Sequence, residues 1–201
     1  MSLPSTYTLD RDTIKLNAYR LLCVFFANKE IARLSDPDDR SDAPSQLERM
    51  FFAREMTQLL LNIAIGVRVL DDQMKGLSSA DSMRHAYFRG RDEVNRRHNC
   101  MMFDEMSLRD VCNKVIHATT VEPHAAKGSE SHKIDEYNLS GWSEANDHAP
   151  GDVGPEPDPI EWEHLSGNIR LGGVQGKEQW WHLLEVPIFV EAVFELLEPK
   201  G

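Results

Sequence analysis

Apolar side chains recur at every third or fourth position between Leu47 and Met74, and this spacing constrains the fold more than any other feature of the chain. Such a repeat keeps the side chains on one face of an α-helix. Ser45 and Glu48 stand at the spacing of a capping box, so the pattern predicts a helix that begins at Ser45. Gly76 ends the pattern. The sequence therefore predicts one long amphipathic helix that must bury its apolar face against other elements.

Three further segments before residue 119 show helical patterns. The first covers residues 10–34 and can be capped by Asp10 or Asp12. A weaker pattern predicts a helix over residues 81–88, followed by polar turns. The third helix is predicted to begin after Ser107, a natural N-cap, and to end near Ala118.

The C-terminal part predicts a different kind of structure. Residues 168–186 have the pattern of a β-hairpin around the glycine-rich stretch 172–176, in which the adjacent Trp180 and Trp181 point to opposite faces of a strand. Pro187 is placed to open a last helix, and Pro199 to end it. We therefore expect a mainly α protein in which a hairpin and a closing helix pack on a helical bundle.

Charge divides the chain unevenly. Residues 1–120 hold 17 basic and 17 acidic side chains, whereas residues 121–201 hold 5 basic and 16 acidic ones, which accounts for the whole net charge of −11. A uniformly basic nucleic-acid binder is excluded by this balance. Residues 119–165 combine acidic side chains with several prolines and glycines, so we predict a long excursion that is partly ordered at best. One domain would then consist of a bundle over 1–118, this excursion, and the hairpin with its helix over 166–201.

The expected environment is the cytoplasm. No apolar run approaches the ~20 residues that span a bilayer, and the first residues lack the basic-then-apolar pattern of a secretory signal. The three cysteines, at 23, 100 and 112, form no CxxC pair, which favours a reducing compartment. No cofactor is expected, and no membrane partner.

One helix face carries side chains of the types that bind phosphate and transfer protons. Arg109, Asn113 and His117 are four residues apart in turn, so all three project from nearly the same face of the helix that follows Ser107. Arginine can hold a phosphate through two parallel hydrogen bonds, and histidine exchanges protons near neutral pH. Asparagine can orient a ribose or the scissile phosphate. RNA brings its own nucleophile, the 2′-hydroxyl, so the row needs no metal.

The segment from Arg109 to His117 resembles the signature helix of the HEPN superfamily, whose motif is an arginine, a polar residue and then a histidine four to six residues from the arginine. Here Arg109 and Asp110 supply the first pair, but seven residues separate Arg109 from His117. In the alternative alignment, Asn113 and His117 have the usual spacing and Cys112 stands in the arginine position. The resemblance covers about ten residues and the order of the helices over 1–118.

What the resemblance implies is an all-α bundle that dimerises and acts on RNA or a nucleotide, in many members as a metal-independent ribonuclease of defence or toxin–antitoxin systems. In that reading Arg109 clamps the phosphate, Asn113 orients it and His117 is the acid or base. Nearby arginines would then contact the RNA backbone, with Tyr87 and Phe88 available for stacking on bases; these arginines are Arg84, Arg89, Arg91, Arg96 and Arg97.

Two other interpretations stay open. The row at 109, 113 and 117 can be a structural face whose members bond to neighbouring helices, with His117 placed favourably at the negative end of the helix dipole. Alternatively, the protein is a non-catalytic interaction module whose acidic segment binds a basic protein. A metal site is not expected, because the only close pair of candidate ligands, His98 and Cys100, lacks the spacing of common zinc motifs.

Overall fold

The computed structural model describes residues 9–35, 40–130 and 160–198. Five helices and a small three-stranded antiparallel sheet make up these residues, so the expected mainly α class is confirmed. The helices are α1 (Arg11–Leu34), α2 (Ala43–Gly76), α3 (Ser82–Arg97), α4 (Leu108–His117) and α5 (Val186–Leu197). The strands are β1 (Thr120–Glu130), β2 (Ile160–Gln175) and β3 (Glu178–Glu185), in the spatial order β1-β2-β3.

The two long helices lie against each other along their apolar faces. Ile14 of α1 lies over Gly66 of α2, where a side chain in place of the glycine hydrogen would overlap it. Further along, the rings of Phe25 and Phe52 meet edge to face with centroids 5.7 Å apart. Buried side chains of α4, α5, β2 and β3 join those of α1 and α2 in one hydrophobic core. None of the helices in the described ranges is both long and apolar enough to cross a membrane.

Helix α2 begins earlier than the capping-box pattern predicts. Asp42 is its N-cap and accepts a hydrogen bond from the Ser45 backbone nitrogen at 2.8 Å. Glu48 does not return to the helix start, because its carboxylate binds Arg40 at 2.8 Å and the side-chain amide of Asn28. The Ser45 hydroxyl is bound instead to the hydroxyl of Ser35, at 2.7 Å. The prediction that Ser45 caps this helix is therefore wrong.

Helix α3 is twice as long as predicted. It continues past Phe88 to Arg97, where the polar turns were expected. Arg97 pairs with Glu93 one turn earlier, and the Arg96 Nε donates to the Asp92 carbonyl at 3.3 Å. Local side-chain pairs of this kind support a helix with little apolar content.

The segment predicted to be a partly ordered excursion has regular strands at both ends, which the sequence did not predict. Residues 120–130 and 160–165 pair as antiparallel strands, with a register shift between Pro123 and Ala125. An edge strand exposes most of its side chains and tolerates proline at such an irregularity, so its sequence does not look like a strand. The rest of the acidic segment, residues 131–159, and Pro199 lie outside the described residues. The hairpin is confirmed, although its turn is at Gly176 and Lys177 and the preceding two glycines lie inside β2.

Candidate functional site

Helix α4 places the predicted row of polar side chains where it can face a groove. The Ser107 side chain accepts a hydrogen bond from the Asp110 backbone nitrogen at 3.2 Å and so fixes the first turn. One side of the helix is buried in the core through Leu108, Val111, Cys112 and Val115. The opposite side carries the row at 109, 113 and 117, as the four-residue spacing predicts.

A groove of about 870 Å³ lies between α4 and the β2–β3 hairpin. This volume is within the range of ligand sites in proteins. Its lining comes from α4, from the loop before it and from the hairpin: Glu105, Met106, Asp110, Asn113, Lys114, His117, Val174, Gln175, Gly176 and Trp180. Asn113 and His117 are thus brought together at the groove, whereas Arg109 is not part of its lining.

Lys114 and Trp180 form the central contact of the groove. The Lys114 ammonium lies 4.4 Å from the centroid of the Trp180 ring, a cation–π contact between α4 and β3. Trp180 is paired with Gly173 across the hairpin, and its ring lies close to that glycine. A Cβ at Gly173 would overlap the indole, so glycine is required there. The arrangement fixes a positive charge on α4 one turn before the exposed His117.

Asn113 is oriented by an arginine from α2. Arg68 donates through its Nη1 to the Asn113 side-chain oxygen. Because a guanidinium can only donate, this contact determines which end of the amide is the oxygen. The amide nitrogen is then the donor that Asn113 offers to a ligand.

Arg109 is engaged with α2. Its guanidinium forms ion pairs with Asp71 and with Asp72, the second at 3.0 Å. Asp71 is almost completely buried, with 1% of its surface exposed, and also binds Arg91 at 3.1 Å and Lys75 at 2.9 Å. Partial burial and the nearby Arg68 lower the pKa of Arg109, which stays protonated. Arg109 therefore joins α4 to α2 instead of opening to the groove.

The five arginines predicted to contact RNA differ in their contacts and exposure. Arg84 donates to the carbonyl oxygens of Lys75 and Leu77 at the end of α2, and Arg91 binds the buried Asp71. Arg97 pairs with Glu93 and, at 3.4 Å, with Glu195. Arg96 and Arg97 line a smaller depression of about 460 Å³ that shares Glu105 and Met106 with the groove, and Arg89 is exposed. Tyr87 is buried and Phe88 is covered by Arg84 and Arg91, so neither ring is free to stack on a base.

The loop between α3 and α4 forms one wall of the groove and is fixed to β3. The Met102 backbone nitrogen donates to the Leu183 carbonyl at 3.0 Å, and the Glu185 nitrogen donates to the Cys100 carbonyl at 2.9 Å. The His182 Nδ1 and an Asp104 carboxylate oxygen lie 2.8 Å apart. This wall is therefore held by three separate contacts before any ligand enters.

Sequence reasoning did not single out Arg68, Lys114 or Trp180 as members of one site. Lys114 is adjacent to Asn113 in sequence, but its role depends on a strand about 65 residues away. The one signal was the pair of glycines at 172 and 173 opposite the two tryptophans, since a glycine in a strand can mark a close approach of another group.

Comparisons with protein-family models, with curated proteins and with solved structures found no match. The fold and site define a mainly helical protein with a polar groove closed on one side by a β-hairpin. Within the described ranges, no group of three or more His, Cys, Asp or Glu side chains is arranged to hold a metal ion. The groove offers a fixed ammonium, an amide donor and an exposed imidazole, and these groups can bind a phosphate and exchange a proton.

Proposed function

We propose that this protein binds single-stranded RNA in the groove beside α4 and cleaves it as a HEPN-like, metal-independent endoribonuclease. The observation that carries the proposal is the Lys114 ammonium held against Trp180 next to the exposed His117. An imidazole can accept a proton and a fixed cation can stabilise charge that develops on the phosphate, so this pair can support transfer of an RNA phosphodiester without a metal.

The proposed roles follow from the contacts of each side chain. Neutral His117 accepts the proton of the ribose 2′-hydroxyl, and the 2′-oxygen attacks the adjacent phosphorus. The bond from phosphorus to the 5′-oxygen breaks, and that oxygen takes a proton from water. The hydroxide left behind takes the proton from His117, which becomes neutral again. A 2′,3′-cyclic phosphate and a 5′-hydroxyl end result. Lys114 neutralises the negative charge that develops on the phosphate, and Asn113 donates from its amide nitrogen.

The role first expected for Arg109 passes to Lys114. Because Arg109 is paired with Asp71 and Asp72, it supports the site by fixing α4 on α2. We further propose that α1 to α4 correspond to the HEPN bundle and that two copies associate, as the resemblance implies. Size-exclusion chromatography with light scattering tests the association, since a monomer at micromolar concentration contradicts it.

The first experiment measures cleavage of a single-stranded RNA in EDTA. The wild-type protein is expected to produce ends with cyclic phosphates, and His117→Ala to lose at least 100-fold in rate because it removes the proton acceptor. His85→Ala is the matched control, since His85 is also exposed but lies on α3. An intact RNA after incubation with the wild-type protein contradicts the enzyme.

The second experiment measures binding with a 2′-O-methyl RNA, which has no 2′-hydroxyl to react. His117→Ala should keep its affinity, whereas Lys114→Met should bind several-fold more weakly and with a smaller dependence on salt. Lys29→Met, which removes an exposed lysine of α1, serves as the control. If Lys114→Met and the wild type bind this RNA with equal affinity, the groove is not the RNA-binding site. In cells, slowed growth caused by the wild type but not by His117→Ala would support a toxin or defence role.

A further inference from the structure

A second depression, of about 300 Å³, lies on the outer face of the sheet around Trp181. The side chain of Trp181 is 58% exposed, which is unusual for the largest apolar side chain on a strand. Among the residues that the structure describes, Arg170 is the only charged residue in contact with this ring. Its guanidinium carbon lies 5.8 Å from the ring centroid. Trp181 therefore presents an aromatic surface to solvent.

Gly172 lines this depression and is paired with Trp181 across the hairpin. A Cβ at Gly172 would meet the Thr120 side chain at 3.5 Å and the Trp180 carbonyl oxygen at 3.8 Å, which are ordinary contact distances. Packing therefore does not require glycine at this position, in contrast to Gly173. Any longer side chain at 172 would, however, fill the space beside the Trp181 ring.

The rim of the depression carries polar groups in pairs. The guanidinium of Arg170 lies 3.9 Å from the Glu122 carboxylate, and both side chains are more than half exposed. Thr120 and Gln179 add a hydroxyl and an amide. An aromatic surface surrounded by hydrogen-bond donors and acceptors without net charge suits a flat, neutral ring with polar edges, and a nucleobase is such a ring.

The depression and the groove meet at the end of the hairpin. Val174 and Trp180 belong to the lining of both. A phosphate at Lys114 and a base at Trp181 would thus lie on the two sides of the same strand end. We infer that a base of the bound RNA, flanking the phosphate held at Lys114, stacks on Trp181. This inference rests on the proposed function and adds to it a subsite for one base. Only a single-stranded RNA can fill that subsite, because the bases of a duplex have both faces covered.

The test is a double-mutant cycle between Trp181 and the bases of the ligand. The probes are a fluorescein-labelled 2′-O-methyl tetra-adenylate and four versions of it, each with one abasic residue, with binding followed by fluorescence anisotropy. In the wild type, one abasic position should weaken binding on the order of tenfold, the loss expected for one base stacked on an aromatic ring. Trp181→Ala should weaken binding of the complete probe by the same factor and abolish the dependence on that position.

Two further variants keep this test independent of folding. Gly172→Val places a residue that favours strands in the lining beside Trp181 and should reproduce the effect of Trp181→Ala. Phe26→Ala removes another exposed aromatic side chain, on α1, and should change nothing. Equal losses at all four abasic positions, or a position dependence that survives in Trp181→Ala, overturns the stacking site.

Failure of the proposed function gives a different result. Lys114→Met should weaken every probe by one common factor and leave the dependence on position intact. If Lys114→Met binds as the wild type does while the Trp181 effect remains, the stacking site is supported and the groove is not the phosphate site. Absence of binding by every probe overturns both.

Discussion

Replacement of the buried Asp71 by asparagine tests the link between the core and the site. The variant keeps the shape of the side chain but removes its charge, while Arg91, Arg109 and Lys75 stay beside it. Breaking a buried ion pair by removing one partner typically costs about 3–5 kcal/mol. Here the two arginine side chains are each 24% exposed, so water partly compensates them and the lower end of that range applies. We expect a loss of roughly 3 kcal/mol in the free energy of unfolding.

Urea denaturation followed by circular dichroism measures this loss, and for a chain of this size the melting temperature should fall by roughly 6–12 °C. Asp72→Asn is the matched control. Asp72 binds Arg109 at 3.0 Å and Arg68 at 3.6 Å, but its side chain is 56% exposed, so its removal should cost less than about 1 kcal/mol. A loss below 1 kcal/mol for Asp71→Asn, or equal losses for the two variants, would refute the role of Asp71 as the buried centre of this network.

Three further outcomes follow from other contacts. Gly173→Ala should destabilise the protein by about 2 kcal/mol because the new methyl group overlaps the indole across the hairpin, whereas Gly172→Ala should stay within about 0.5 kcal/mol of the wild type in the same urea titration. Asp42→Ala removes the N-cap of α2 and should cost about 1 kcal/mol, read from its melting temperature; no change would contradict the capping contact. Burial raises the pKa of the Cys100 thiol to about 12, so the unfolded chain loses this proton first, and stability should be full below pH 9 and decline from there towards pH 12. That decline should be smaller in Cys100→Ala, and at pH 8 a thiol reagent should modify only the exposed Cys23 quickly among the three cysteines.

The helices with their own apolar faces could be predicted from the sequence. Asp10 and Ser107 are the N-caps that the sequence indicates, and Pro187 lies in the first turn of α5 as expected. Caps and apolar spacing act within a few residues, so a single chain segment contains them in full. The exception is α2, where Asp42 competes with Ser45 for the same role and the sequence alone does not decide between them.

Strand β1 could not be predicted because its partner is distant in the sequence. Glu122 pairs with Arg170 and Val121 with Leu171, almost 50 residues later. Helix α1 also supports the sheet, since the Asn28 side chain accepts a hydrogen bond from the Leu165 backbone nitrogen at 2.7 Å. A segment with few apolar residues thus becomes a strand through contacts that only the folded chain provides.

For the polar row on α4, too, local sequence predicts the position of the side chains, whereas distant contacts determine their roles. Helical spacing alone placed Arg109, Asn113 and His117 on one face, but α2 determines what each can do. Asp71 holds Arg109 out of the groove, and Arg68 turns the Asn113 amide so that its nitrogen is the available donor. A loss of cleavage in Arg109→Ala would therefore not make Arg109 a catalytic residue. The unfolding free energy must be measured with it, because a positioning role lowers stability and activity together, whereas a phosphate clamp lowers activity alone.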